Sequence, residues 1–311
     1  MRDRRGRLEG MTNPGGPPTD ARGALLITTD SSGQAVSFEQ IGVLSSDEYT
    51  RFKDAYKQIA GLVFGSIYSY FSSSKSLLRS AVMAANQASD VGLVQFNSAP
   101  DSFATWLTSL RATALSLCSS VVYHQDQMLR RIEKAYGAKS PEYSQAKSDF
   151  HGLYDGFAGY RFLYDLRNVM VHESMEAVTA AVNQLLVGGK VQSTWIVTVD
   201  RSFVAQSDMK KPAKTDIVAL SQNPSLLDLA EEITEPLATV NKAIETKLLD
   251  SMSPACQAVA EFDDMFAGKP GLRAIANAPG AVPGPHIPAY TPWSQQVIEL
   301  ARRRLQPPGG A

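Results

Sequence analysis

The sequence predicts a mainly α protein of the α+β class: a helical bundle with a small antiparallel sheet and a C-terminal helical tail. Three observations predict it. Apolar residues recur at steps of three and four over long stretches, above all between residues 101 and 136. Alternating, β-branched runs are confined to the N-terminal region and the stretch around residues 191–221. With 44% hydrophobic and 20% charged residues, the 311-residue chain can bury a sizeable core.

Residues 1–22 are basic and then rich in Gly and Pro, and read as a disordered tail. No apolar run follows their charges, so they do not read as an export signal. ALLITTDSSGQAVSFEQI reads as two short strands around the turn Asp30-Ser31-Ser32-Gly33. Ser46-Asp47-Glu48 caps a helix running through Phe71, with Phe52, Ile59, Val63 and Ile67 at helical spacings. A second helix covers residues 74–89. The clearest covers residues 101–136, where Phe103, Leu107, Leu110, Ala114, Leu117 and Val121 form one stripe and Gly137 is the C-cap.

Pro141 starts a helix to residue 173, and a short helix follows to Gly188-Gly189. VQSTWIVTVD (191–200) alternates and reads as a strand with Trp195 in the core. SFVAQS (202–207) and DIVALS (216–221) read as two more, which would join the N-terminal hairpin in one sheet. Residues 225–266 are helical, divided by Pro236 and Pro254. A Pro-rich linker and the amphipathic segment WSQQVIELARRR close the chain. The expected layout is a tail at 1–22, a bundle plus sheet at 23–267, and a linker with a terminal helix at 268–311.

Bulk chemistry narrows the function classes. A net charge of −1 offers no broad basic face, so any contact with nucleic acid must be local. Cys118 and Cys256 make no disulfide framework, and the histidines at 124, 151, 172 and 286 lack zinc-site spacing, so neither metal nor cofactor is expected. The most apolar run, IAGLVFGSIYSYF, falls short of the about 20 residues of a membrane span, which points to the cytoplasm and away from a membrane partner. His124, beside Asp126, reads as part of a solvated helix end. The Arg302-Arg303-Arg304 cluster fits either an acidic partner or a solvated terminal helix.

The chemistry concentrates in YRFLYDLRNVMVHES. On a helix, Arg161, Asp165, Asn168 and His172 line one polar stripe, while Phe162, Leu163, Leu166, Val169 and Met170 face the core. Arg167 is offset from His172 by roughly 140°. Histidine moves protons near neutral pH, and the planar arginine fork suits a phosphate or its charged transition state. Asn168 can orient the imidazole or bind a phosphate oxygen. Together these groups suffice for metal-independent cleavage of RNA, with the 2′-hydroxyl attacking its own phosphate. The alternative is structural: Arg161 and Asp165 as an i,i+4 ion pair, Arg167 paired with a carboxylate, and His172 donating to a carbonyl near the helix end.

Arg167-Asn168-Val169-Met170-Val171-His172 resembles the R-N-x-x-x-H pattern of the HEPN superfamily, over residues 46–186 of the chain. The wider layout also resembles a group of bacterial proteins without an assigned role. The resemblance implies a helical bundle that dimerises so that two motifs form one endoribonuclease site, acting on RNA in defence or growth arrest. Arg167 would hold phosphate, His172 would transfer the proton and Asn168 would orient, with Arg161 and Asp165 in support. Some HEPN-like bundles lack nuclease activity. The second expectation is therefore a non-enzymatic module that binds a nucleotide or an unidentified protein partner.

Overall fold

The computed structural model describes residues 22–32, 35–94, 100–277 and 289–306. The expected tail before Arg22 and most of the Pro-rich linker lie outside them. In chain order the elements are β1 (Arg22–Thr29), β2 (Ala35–Leu44), α1 (Ser46–Val63), α2 (Tyr68–Asp90), α3 (Pro100–Tyr136), α4 (Pro141–Gly156) and α5 (Ala158–His172). There follow β3 (Val178–Val187), β4 (Lys190–Val199), α6 (Arg201–Gln206), α7 (Lys211–Ala219), α8 (Leu226–Glu232) and α9 (Thr234–Ser251). The last are α10 (Ser253–Asp264), β5 (Leu272–Ala276), β6 (Tyr290–Pro292) and α11 (Gln295–Leu305). The protein is mainly helical with small antiparallel sheets. Among the described residues no helix is long and apolar enough to cross a membrane.

The chain forms two compact units, one from residues 1–65 and 252–311 and the other from residues 66–251. In the first, β1 is flanked by β2 and β5, and β6 completes an antiparallel sheet of order β2-β1-β5-β6. At the end of β1 the Asp30 carboxylate accepts from the Ser32 N–H at 2.8 Å, while Gly33 of the expected turn lies outside the described residues. Helix α1 begins with a reciprocal capping box between Ser45 and Glu48. Phe52 and Phe262 meet with ring centroids 5.3 Å apart, and Trp293 lies 4.1 Å from Phe262. Truncating one such buried aromatic to Ala typically costs about 3–5 kcal/mol. Arg302 binds Asp263 and Asp264 of its own chain, so one guanidinium of the terminal basic cluster is already matched.

In the second unit the 37-residue α3 is the central rod, with α2, α4, α5 and α9 packed on it. Its stripe is buried as expected, with Leu110, Ala114, Leu117 and Val121 all sealed from solvent. The β3–β4 hairpin lies on α2, with Trp195 stacked on Phe103 at 5.4 Å and donating its indole N–H to Ser89 at 2.8 Å. Its turn is Gly188-Gly189 with φ of 58° and 78°, the left-handed pair that a two-residue hairpin requires.

Several sequence expectations are corrected. The N-terminal hairpin pairs with residues 272–276, not with residues 190–221. SFVAQS and DIVALS fall in helices α6 and α7, begun by the Asp200 side-chain cap and by Pro212 in the first turn. The segment before Gly188 is strand β3, not a helix. The stretch from Pro141 is two helices broken at Phe157, whose backbone is extended. The first long helix is likewise interrupted after Val63 and resumes at Tyr68.

Candidate functional site

Helix α5 carries every residue singled out for chemistry, and its seat is set by its apolar face. Phe162, Leu163, Leu166, Val169 and Met170 are all buried, as the spacing predicts. Near its start, Gly159 allows close approach to α8: a Cβ there would stand 2.4 Å from the Leu229 carbonyl oxygen. The Gly159 N–H also donates to Glu232 Oε2 at 3.2 Å.

The polar stripe splits into two parts with different environments. The first is a brace. Arg161 Nη1 donates to the carbonyls of Tyr154 (2.5 Å) and Asp155 (3.2 Å), capping the end of α4, while Nη2 meets Asp216 of α7 at 2.6 Å. Asp165 is 1% exposed and accepts from the Tyr154 hydroxyl at 2.5 Å. Lys210 Nζ lies 3.7 Å from the other Asp165 oxygen and above the rings of Tyr154 and Tyr164. Burial raises the Asp165 pKa above the usual carboxylate value, and the Tyr154 hydrogen bond and Lys210 only partly offset that. Burial and the neighbouring carboxylate push the Tyr154 hydroxyl well above its ordinary range. The expected Arg161–Asp165 pair is therefore replaced by contacts with α4 and α7, and both residues tie helices together.

The second part is the motif at the end of the helix. Arg167 and Asn168 are half-buried and joined, with Arg167 Nη1 donating to Asn168 Oδ1 at 3.0 Å. Among the described residues Arg167 has no carboxylate partner. His172 is the last residue of α5, exposed, and joined by no hydrogen bond to any described residue. Asn168 lies between the other two on the helix surface, about 100° from Arg167 and about 40° from His172. Within one chain the fold therefore joins Arg167 to Asn168 and leaves His172 one turn further on, facing solvent. Among the described residues, the carboxylate and carbonyl partners foreseen in the structural alternative are not made by Arg167 or His172. Beyond the helix, Glu173 is occupied by the Asp208 N–H at 2.9 Å.

Two surface depressions lie elsewhere. One, of about 730 Å³, is lined by Ser207, Asp208, Lys211 and Lys214 around α6 and α7. The other, of about 580 Å³, lies between the hairpin base and α8, lined by Thr179, Thr198, Asp228 and Glu232. Neither contains Arg167, Asn168 or His172. His151 is exposed, and Asp149 is bonded to Gln145 of its own helix.

One polar site in the core was misread from sequence. His124 is completely buried, not part of a solvated helix end. Its Nε2 lies 3.0 Å from Asn241 Oδ1, and its ring meets Tyr68 and Phe150 edge-on. Its Nδ1 has no hydrogen-bond partner. Burial lowers its pKa to about 4, against a small upward pull from Asn241. The signal was present: the α3 stripe at Leu117 and Val121 continues through His124, Met128 and Ile132, all 0% exposed.

No family model, curated protein or solved structure matches this chain.

Proposed function

We propose that the end of α5 is a phosphodiester-cleaving site of the HEPN kind, and that the protein is a metal-independent endoribonuclease acting in bacterial defence or growth arrest. The observation that carries this reading is a guanidinium without a carboxylate partner among the described residues, held against an amide, one helical turn from an exposed imidazole. A structural ion-pair role predicts the opposite, with the arginine neutralised by its own chain. In the proposed reaction His172 takes the proton of a ribose 2′-hydroxyl, and that oxygen attacks the adjacent phosphorus. The bond from phosphorus to the 5′-oxygen breaks, leaving a 2′,3′-cyclic phosphate. The departing 5′-oxygen takes that proton back from His172, which frees the imidazole for another cycle. Arg167 offsets the charge that builds on the phosphoryl oxygens, and Asn168 fixes the guanidinium. Because Arg167 and His172 are roughly 140° apart on one helix, the complete site draws one group from each of two copies.

The test is expression of the wild type beside His172→Ala and Arg167→Ala, scoring growth and RNA integrity with EDTA present. Cleavage or toxicity abolished by both changes supports the reading, and identical behaviour of all three proteins ends it. One observation favours the second reading, a nucleotide-binding module without turnover. The Asn168 carbonyl oxygen is already engaged by Arg167, a rigid pair suited to holding an anion. That reading expects nucleotide binding that Arg167→Ala weakens and His172→Ala leaves alone.

A further inference from the structure

The β3–β4 sheet has only two strands, so each strand has an outer edge. Gly188-Gly189 closes it as a two-residue loop after the Val187–Lys190 pair. Antiparallel alternation then turns the main-chain groups of Ala180, Val182, Gln184 and Leu186 outward on β3. On β4 it turns those of Val191, Ser193, Trp195, Val197 and Val199 outward.

The two edges are finished differently. On β4, the Ser193 N–H donates to Asp90 at 2.5 Å, the Trp195 N–H to Asn86 at 2.7 Å, and the Val199 N–H to the Pro224 carbonyl at 3.0 Å. On β3, Arg111 Nε meets the Val178 carbonyl at 2.8 Å at the base of the strand. Beyond it, the outward groups from Ala180 to Leu186 have no main-chain partner among the described residues. The usual guards of an open edge are missing too. The hairpin, residues 178–199, holds one charged residue, Lys190, and no proline. Leu185 and Leu186 are 67% and 75% exposed.

We propose that this edge pairs with β3 of a second copy, antiparallel about a two-fold axis beside Asn183. In that register Val182 faces Gln184 of the other copy and Ala180 faces Leu186, so every outward group of the four residues finds a partner. The large exposed Leu185 and Leu186 lie over the small Ala181 and Ala180, so the faces interlock. A strand without charge meets its own copy without repulsion. The contact buries on the order of 1,000 Å² in total, the low end of specific interfaces, so the dimer is reversible. The β4 edges, engaged at Ser193, Trp195 and Val199, stop the ladder at four strands, which gives a closed dimer and not a filament. The argument uses no residue of the α5 motif, and a protein that dimerises through this edge yet leaves RNA intact fails the ribonuclease reading alone.

Asn183 stands opposite itself in this arrangement, which supplies the test. Sedimentation of the full chain should show a monomer–dimer equilibrium that shifts with concentration. Asn183→Asp and Asn183→Lys, each placing like charges face to face, should be monomeric alone and should dimerise when mixed. Under mild oxidation Asn183→Cys should form a disulfide-linked dimer while Val187→Cys does not; the native cysteines are both buried. A wild type that stays monomeric at high micromolar concentration overturns the proposal, including the case in which the edge takes a foreign strand. So does a dimer that survives both charge variants, or a Val187→Cys protein that cross-links as readily.

Discussion

His124 and His172 are the same residue in opposite settings. His124 sits mid-stripe on α3, sealed among Tyr68, Phe150 and Asn241, with its pKa lowered to about 4. His172 ends α5 in solvent, with no hydrogen-bond partner among the described residues. The difference comes from position on the helix surface and not from local sequence: each lies near a carboxylate in the chain, Asp126 or Glu173, and neither pairs with it. A buried imidazole that is neutral through the physiological range can pack but cannot trade protons near neutral pH. The comparison therefore assigns a packing role to His124, while the proposed chemistry rests on His172.

The largest effect expected is on activity at the solvated site. If the proposed reaction holds, His172→Ala lowers RNA cleavage by about 100- to 10,000-fold and Arg167→Ala by at least about 100-fold. Neither should move the melting temperature much, because neither side chain is buried. Cleavage rates and melting curves on the same preparations separate lost chemistry from lost fold. A His124 substitution that abolished cleavage without loss of stability would break the comparison.

Next in size is the pH dependence that belongs to His124. Its folded pKa, about 4, lies below the ordinary histidine value of 6.5, so the folded state resists protonation. The stability it contributes is complete above about 6.5 and is lost as pH falls toward 4, by roughly 3 kcal/mol in all. Urea titrations at pH 7, 5.5 and 4 read this directly. His124→Gln, neutral throughout, should flatten the curve while starting from lower stability, since Asn241 loses its fitted partner. An equally steep acid loss in that variant would remove His124 from the account.

The third effect tests how α5 is seated. Gly159→Ala drives a methyl against the Leu229 carbonyl, a backbone atom that cannot swing aside. A cost of about 1–3 kcal/mol is expected from this overpacking, visible as a lower denaturant midpoint.

The sequence shows the apolar faces of α3 and α5 because their steps of three and four repeat over many turns. The motif residues were legible too, as was the solvent side on which Asn168 and His172 fall. What could not be read is long-range pairing. β5 is five residues long, and its place beside β1 depends on a partner about 250 residues earlier in the chain. Short apolar runs such as SFVAQS and DIVALS carry no decisive period, and their caps, Asp200 and Pro212, held the information that the β-branched residues obscured. Arg161 and Asp165 have ideal i,i+4 spacing, yet each finds a better partner on another helix, where no local rule could point.

Asp165 gives the smallest and most specific test, because it divides the polar stripe of α5 itself into buried and solvated parts. Its carboxyl is held above its ordinary pKa by burial, so the folded state binds its proton more tightly than the unfolded chain does. A raised folded value means that its contribution is most favourable below the unfolded pKa and is lost as pH rises through the folded one. The ionised form of Asp165 therefore carries a residual desolvation cost that Lys210, itself 61% exposed, does not cancel. Asp165→Asn keeps an oxygen for the Tyr154 hydroxyl and removes the charge. The variant should match or exceed wild-type stability at pH 7, by less than about 1 kcal/mol, and should fall below it in acid. Wild-type RNA cleavage by Asp165→Asn would place this residue with His124 among the groups that hold helices. Loss of cleavage at unchanged stability would extend the chemical part of the stripe back by less than one turn, to the edge of the core.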